Sequence, residues 1–253
     1  MDIRRAKLHA TLLSMGASAL GFSGGTDSSY LLREAVECGA DVRPYFVDTC
    51  FNHSGDLERA VSFCRNLDVQ LEVVPLDIMS EPCVQSNGPD RCYWCKMAIF
   101  SHVRERAHAS GRRAVVDGTN ASDLESERPG MRAIRELGVR SPLRECGISK
   151  DDVRELSREL GLPTWDTPSD SCLATRVLTG VRLTPDILSR VDSAESQLRG
   201  MGFSGFRVRT DGRSASIVFR RSQRVEAEDR WDDIESALSG YFDHVSMDEE
   251  VRD

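Results

Sequence analysis

No stretch of this sequence is apolar over anything near the roughly 20 residues that a membrane-spanning helix needs. That absence excludes a helical membrane protein. Arg4, Arg5 and Lys7 stand near the start, but no continuous apolar run follows them. Residues 1–20 read as an amphipathic helix and the beginning of a strand, not as a signal peptide. Positive charge is short as well: 33 Lys+Arg against 41 Asp+Glu leave a formal net charge of -8, which argues against a broad nucleic-acid surface. There is no internal repeat and no low-complexity tract, so solenoids and arrays are excluded. No Gly-Lys-Ser/Thr stands at Walker spacing, which excludes the ordinary P-loop. The expectation is a cytoplasmic chain without membrane partner, in which the eight cysteines stay reduced and form no disulfide framework.

What is present suits an ordinary globular core, with 40% hydrophobic and 29% charged residues over 253 positions. Residues 17–22, 42–47, 69–76 and 114–117 read as short strands. Helical patterns follow the first strand through Tyr30–Val36, and occupy 57–67, about 91–110 and 150–160. This alternation predicts an α/β fold, a parallel sheet covered by helices on both faces, with ligands at the carboxyl ends of the strands. Helix 150–160 has a complete start: Ser149 as N-cap, Asp152 at the capping-box position, and Ile148 with Val153 as staple. Past Gly180 the pattern changes to a helix over 184–201, a hairpin of strands 206–209 and 214–220 around Asp211-Gly212, and a helix near 231–238. The expected division is therefore 1–180 and a small α+β domain, 181–253. The charged residues 247–253 read as a frayed tail.

Between the first strand and its helix lies Ser23-Gly24-Gly25-Thr26-Asp27-Ser28-Ser29. Two glycines let backbone N–H groups approach a polyanion, and the helix N-terminus adds partial positive charge. Ser23 and Ser28 offer hydroxyls, while Asp27 can hold a Mg²⁺ bridging a pyrophosphate. A glycine turn capped by Asp27 is the plainer alternative. Asp117-Gly118-Thr119-Asn120, ending the fourth strand, is a second element of the same pocket, though alone it would read as a turn.

Cys92 and Cys95, in Arg91-Cys92-Tyr93-Trp94-Cys95-Lys96, sit at i and i+3 of a helix start, so both thiols share one face. Cys172 stands in Ser171-Cys172-Leu173-Ala174-Thr175-Arg176. No fourth ligand stands at structural-zinc spacing. Three cysteines suit a [4Fe–4S] cluster with one iron open, but spacing alone leaves zinc and a redox pair in play. Cys38, Cys50, Cys64, Cys83 and Cys146 read as core or incidental thiols.

Together with Arg140-Ser141-Pro142-Leu143, these motifs resemble the LarE family of ATP-dependent sulfurtransferases of nickel-pincer nucleotide synthesis, within the PP-loop ATP pyrophosphatases. The resemblance runs from about residue 17 to residue 209 and implies a Rossmann-like, adenine nucleotide alpha hydrolase-like fold. It implies ATP, Mg²⁺ and a [4Fe–4S] cluster as cofactors, a sulfide source, and pyridinium-3,5-biscarboxylic acid mononucleotide as the nucleotide substrate. Ser23, Gly24, Gly25, Asp27, Ser28, Ser29, Asp117, Thr119 and Asn120 would bind ATP. Cys92, Cys95 and Cys172 would be cluster ligands, with Cys172, Asp27 and Lys96 catalytic, Lys96 neutralising phosphate charge. Other members instead consume the cysteine matching Cys172 as sulfur donor. Arg207 and Arg209, on one face of a strand, match an Arg-x-Arg pair and would clamp the substrate phosphate, with Arg176 a further contact. The plainer reading of the strand pair is two solvated arginines. Glu195 is a loose match to a family acid, and as a residue it reads better as a solvated helix position. A homo-oligomer, a hexamer, is also implied.

Three rivals remain at this point. A tRNA thiolation enzyme with a PP-loop and cluster is disfavoured by the acidic charge and the lack of a basic extension. An amide-forming PP-loop ligase would turn over without iron or sulfide. A non-catalytic nucleotide sensor leaves Asp27 and the three cysteines unexplained.

Overall fold

The computed structural model describes residues 3–123, 129–168 and 170–252. In chain order the elements are α1 Ile3–Ser14, β1 Ser18–Gly21, α2 Thr26–Glu37, β2 Val42–Asp48, α3 Asp56–Asn66, β3 Glu72–Pro75, α4 Pro82–Gln85 and α5 Arg91–Ala109. They continue as β4 Ala114–Val116, α6 Pro129–Glu136, α7 Pro142–Glu145, α8 Lys150–Glu159, α9 Pro185–Gly200 and β5 Arg207–Thr210. The last are β6 Ser214–Val218, α10 Arg224–Asp229, α11 Trp231–Leu238 and β7 His244–Met247. Contacts divide the chain into two units. One holds Met1–Thr49, Gly55–Ile78 and Asp90–Thr167; the other holds Cys50–Ser54, Met79–Pro89 and Pro168–Asp253.

The first unit is built on a parallel sheet in the order β3-β2-β1-β4, as the alternating pattern predicts. Successive side chains on a strand point to opposite faces, and the sequence supplies apolar residues for both. Ala19, Tyr45 and Val115 join Phe100, Val103 and Ile134 of α5 and α6 on one side. Their neighbours Leu20, Phe46 and Val116 join Leu8 of α1, Leu31 of α2 and Val153 of α8 on the other. Each such large apolar side chain contributes about 1.5–3 kcal/mol on burial. Glu34 of α2 is fully buried, and α1 answers its charge with Arg5, 3.0 Å away, and His9, 2.5 Å away. α1 thereby fixes the helix that begins at the glycine loop. β3 is shorter than the alternation over 69–76 suggests, because it is the sheet edge and pairs only with β2.

The second unit has the sheet order β5-β6-β7. β5 and β6 form the expected antiparallel hairpin, turning at Gly212 with φ +97°, where Asp211 Oδ1 accepts from the N–H groups of Arg213 and Ser214. β7 lies parallel to β6 after a crossover through α10 and α11. The longest of this unit's three pieces begins at Pro168. Residues on both sides of Gly180 bond within the unit: Leu178 N–H donates to Thr210 and Leu183 N–H to Gln85. The frayed tail expected for 247–253 is corrected. Arg252 N–H donates to Phe219 O and its own carbonyl accepts from Arg221, both at 2.9 Å, while Asp253 lies outside the described residues.

Candidate functional site

In the first unit, β2 and β3 lie on one side of β1 and β4 on the other, so the topological switch point falls between β1 and β4. In open α/β sheets that is where ligands bind, beyond the carboxyl ends of the strands. The two glycine-containing turns singled out in the sequence leave the sheet there. After β1, Gly24 adopts φ +73°, which favours glycine, and Gly25 is the N-cap of α2 without a side-chain capping bond. α8 and α9 differ, being capped by Ser149 and Thr184. The opening N–H groups of α2 have no side-chain cap, as is also true of α3, α5 and α11, and following a glycine loop they suit an anion. Ser23 Oγ lies 3.2 Å from Ser28 Oγ and accepts from Gly25 N–H at 3.3 Å, so both hydroxyls gather at the loop. Ser29 is different. It is fully buried, and its hydroxyl has no hydrogen-bond partner in the described structure.

The turn after β4 closes against this loop. A Cβ on Gly118 would stand 3.0 Å from Ser28 N and 3.4 Å from Asp27 C, so only glycine admits the approach. Asp117 is 3% exposed and organises the turn, accepting from Thr119 Oγ1 at 2.5 Å and Ser141 Oγ at 2.7 Å. Segment 140–143 is thus the brace of the turn, with Arg140 N–H donating to Val115 and Asp117 N–H to Arg140. Asn120 Nδ2 donates to Asp27 Oδ1 at 3.1 Å. Lys150 Nζ meets Asp27 Oδ2 at 2.5 Å. Sequence reasoning missed Lys150, which stands 123 residues from Asp27 and carries no local signature beyond following a good N-cap. An uncapped helix start, two gathered hydroxyls, a carboxylate, an amide and an ammonium make a donor set that fits a Mg²⁺-nucleotide triphosphate.

α5 packs on β1 through Phe100. Cys92 and Cys95 are half-buried in its first turn, and Arg91 Nη2 lies 3.6 Å from Cys92 Sγ. None of the eight cysteines is in a disulfide. Two half-buried thiols on one helical turn fit a shared metal group. Lys96 Nζ stands 5.3 Å from the Phe100 ring centroid, and that ring closes on Gly21, where a Cβ would meet it at 2.7 Å. This puts Lys96 near the carboxyl end of β1.

The second unit holds Cys172 and the arginines. Cys172 is exposed and precedes a 3-10 turn, Leu173–Arg176, its carbonyl accepting from Thr175 Oγ1 at 2.7 Å. Arg176, expected among the substrate contacts, has a fully buried guanidinium. It donates to Glu195 Oε1 at 2.7 Å, to Ser171 O at 2.9 Å, and to Asp170. It holds the Cys172 turn. Glu195 is corrected from a solvated helix residue to a buried one, 1% exposed, whose carboxylate also accepts from Val208 N–H at 3.2 Å and so ties the turn to β5. Burial opposes it, but Arg176 and His53 hold Asp170 below the ordinary carboxylate value. Arg207 and Arg209 share a face of β5, as their spacing predicts. Arg209 pairs with Glu250 at 2.6 Å, whereas Arg207 Nε is buried without a hydrogen-bond partner. Burial, and then the charge of Arg176, press Arg207 below the ordinary guanidinium value. A guanidinium stays protonated, and this one keeps an Nε–H without a partner in the described structure that an anion could take. Among the described residues, one trio of potential metal-ligating side chains comes within 4.8 Å: His53, Asp170 and Glu195. Arg176 already occupies both carboxylates of that trio.

A helix-flanked parallel sheet with a glycine loop and a braced polar turn at its switch point defines an α/β protein of Rossmann-like fold, with a small second sheet. No protein-family model matches the chain. It is 33% identical over 208 residues to the pyridinium-3,5-bisthiocarboxylic acid mononucleotide synthase of Lactiplantibacillus plantarum, covering 81% of this chain and 75% of that protein. An uncharacterised protein of Synechocystis sp. is 36% identical over 199 residues, 78% of this chain and 74% of the relative. Another, from Methanocaldococcus jannaschii, is 31% identical over 202 residues, 79% and 75%. The chain belongs to the LarE family of sulfur-transferring synthases. Among the described residues, no helix is long and apolar enough to cross a membrane.

Proposed function

We propose that the protein is an ATP-dependent sulfurtransferase acting on the two carboxylates of pyridinium-3,5-biscarboxylic acid mononucleotide. The observation that carries this reading is the convergence of Asp27, Asn120 and Lys150 on the uncapped start of α2 at the switch point, in a chain of this family. A carboxylate oxygen is a poor leaving group, and adenylation makes it a good one. A substrate carboxylate oxygen bonds to the α-phosphorus of ATP, and the bond to the bridging oxygen breaks with its electron pair leaving on pyrophosphate. The N–H groups of α2 with Ser23 and Ser28 receive the pyrophosphate, Asp27 holds Mg²⁺, and Lys96 balances phosphate charge. Sulfide then attacks the acyl carbon and AMP departs, leaving a thiocarboxylate; a second round converts the other carboxylate.

Arg207 and Arg209 take the substrate phosphate, which supplies the anion that Arg207 lacks. Arg176 acts through Cys172 by holding its turn. Cys92, Cys95 and Cys172 would hold a [4Fe–4S] cluster, which would supply iron chemistry for carrying sulfide. The protein works in the cytoplasm as a homo-oligomer with a sulfide source as partner, and neither nucleic acid nor membrane takes part. Anaerobically reconstituted protein, ATP and substrate test the reading. Pyrophosphate release should disappear in Asp27→Ala with the visible iron–sulfur absorption kept, and that absorption should be lost in Cys92→Ala. Dehydroalanine at position 172 after turnover, seen by mass spectrometry, would replace the cluster route by consumption of the Cys172 sulfur. Salt-sensitive tRNA binding would point to tRNA thiolation instead.

A further inference from the structure

Lys150 and Asp27 form an ion pair whose two side chains are each about a quarter exposed, 25% and 26%. The root of Lys150 is fixed. It is the first residue of α8, whose capping box joins Ser149 and Asp152, and its N–H donates to Ser122 Oγ at 3.0 Å. Its head is not, since four methylenes separate the ammonium from that root. Helix stability does not explain a lysine here. The positive end of the helix dipole disfavours a cation in the first turn, and Asp151 and Asp152 are the residues that suit it. The acid it answers is Asp27, on the first turn of α2.

Asp27 is also the carboxylate within the loop Ser23–Ser29 itself that could hold Mg²⁺. Asn120 takes Oδ1 at 3.1 Å, and Lys150 takes Oδ2 at 2.5 Å. A neutral amide tolerates a metal ion on the same carboxylate. An ammonium does not, because it repels a divalent cation and competes for the same lone pairs. Mg²⁺ also needs near-octahedral oxygen geometry, which Nζ at Oδ2 obstructs. Lys96 makes a different contact, its ammonium lying 5.3 Å from the Phe100 ring centroid.

We infer that Lys150 is an exchangeable counterion of the nucleotide site: it neutralises Asp27 before nucleotide binds, yields that carboxylate to Mg²⁺, and passes to the phosphate oxygens that become pyrophosphate. The inference rests on the adenylation reading and adds a residue to it. Before binding, the exchange keeps an uncompensated carboxylate off the start of the loop. During reaction it places a cation where negative charge develops, without a net gain of charge at Asp27.

The test is a Mg²⁺ titration of pyrophosphate release by the full chain, with ATP and substrate saturating. Lys150→Met should lower the maximal rate about a hundredfold, the scale of losing one transition-state charge contact. It should also lower the Mg²⁺ concentration for half-saturation several-fold, because the competing ammonium is gone. Lys150→Arg, whose fork grips a carboxylate more firmly, should shift that half-saturation upward, and it keeps the test available if Lys150→Met does not fold. A purely structural pin between α8 and α2 would lower the melting temperature and leave the Mg²⁺ response alone. Variants with wild-type Mg²⁺ half-saturation overturn the exchange while active wild-type protein upholds adenylation. Wild-type protein that releases no pyrophosphate overturns the adenylation reading, and the exchange falls with it.

Discussion

Replacing Gly118 by alanine adds one methyl group where the turn after β4 meets the start of α2. That methyl would lie 3.0 Å from Ser28 N, 3.2 Å from Ser28 Cα and 3.4 Å from Asp27 C. All three are main-chain atoms, so no flexible side-chain end can move aside. Removing a glycine from the unfolded chain favours folding by about 0.4–1 kcal/mol, and overpacking opposes it by about 1–3 kcal/mol. The balance is a loss near 1 kcal/mol, or about 2–4 °C in melting temperature for a chain of this size. The functional effect should be larger. Relieving the clash shifts the turn by a few tenths of an ångström, and Asn120, two residues on, moves with it from Asp27. Misplacement of about 1 Å can cost a hundredfold in rate, so pyrophosphate release should drop about tenfold. Differential scanning fluorimetry and a pyrophosphate-release assay read the two effects. Gly88→Ala is the control, since a Cβ there meets nothing within 4 Å. A Gly118→Ala protein that melts and turns over like wild type would refute the close approach on which the site's geometry depends.

Arg176→Met should cost about 3–5 kcal/mol in urea unfolding, because it strands the buried Glu195 carboxylate; adding Glu195→Gln should restore part of the loss. Burial pushes the Cys64 thiol from its ordinary 9.0 up to about 11, so at pH 8 it should alkylate far more slowly than the exposed Cys83, as read by mass spectrometry. The same shift has a sign for stability. A raised folded-state pKa stabilises the protonated, folded chain fully below pH 9, and this contribution falls away as pH rises toward about 11, which alkaline melting curves would show.

Features written in neighbouring residues were legible. The strand, double glycine, aspartate and helix around residues 18–37 are all local, and so are the Ser149–Asp152 box, the Asp211-Gly212 hairpin and the helix Trp231–Leu238. What escaped the sequence depends on partners far along the chain. Nothing near Lys150 announces Asp27. Arg176 looks like a ligand-binding arginine until Glu195 and Asp170 are found on it, and Glu195 looks solvated until Arg176 and Val208 are found on it. The tail looked frayed because its anchors, Gly205, Phe206 and Phe219, lie elsewhere in the sequence. β7 escaped for the same reason, since its pairing with β6 spans two intervening helices.

The second unit is assembled from three separate lengths of chain, and this bears on how the protein can be made or cut. Cys50–Ser54 and Met79–Pro89 emerge from the ribosome well before the residues they serve. Asn87 Nδ2 waits for the carbonyls of Leu178 and Val181, and Phe51 O for the N–H of Leu173. A fragment beginning at Pro168 would lack these two strips and leave those main-chain groups without their partners, at about 1–3 kcal/mol for each buried group. The unit that carries Cys172 and Arg207 is therefore not a detachable module. Its folding is tied by covalent connection to the parallel sheet of the first unit, and a shuffled or truncated gene that treats it as a cassette would yield chains that aggregate or are degraded.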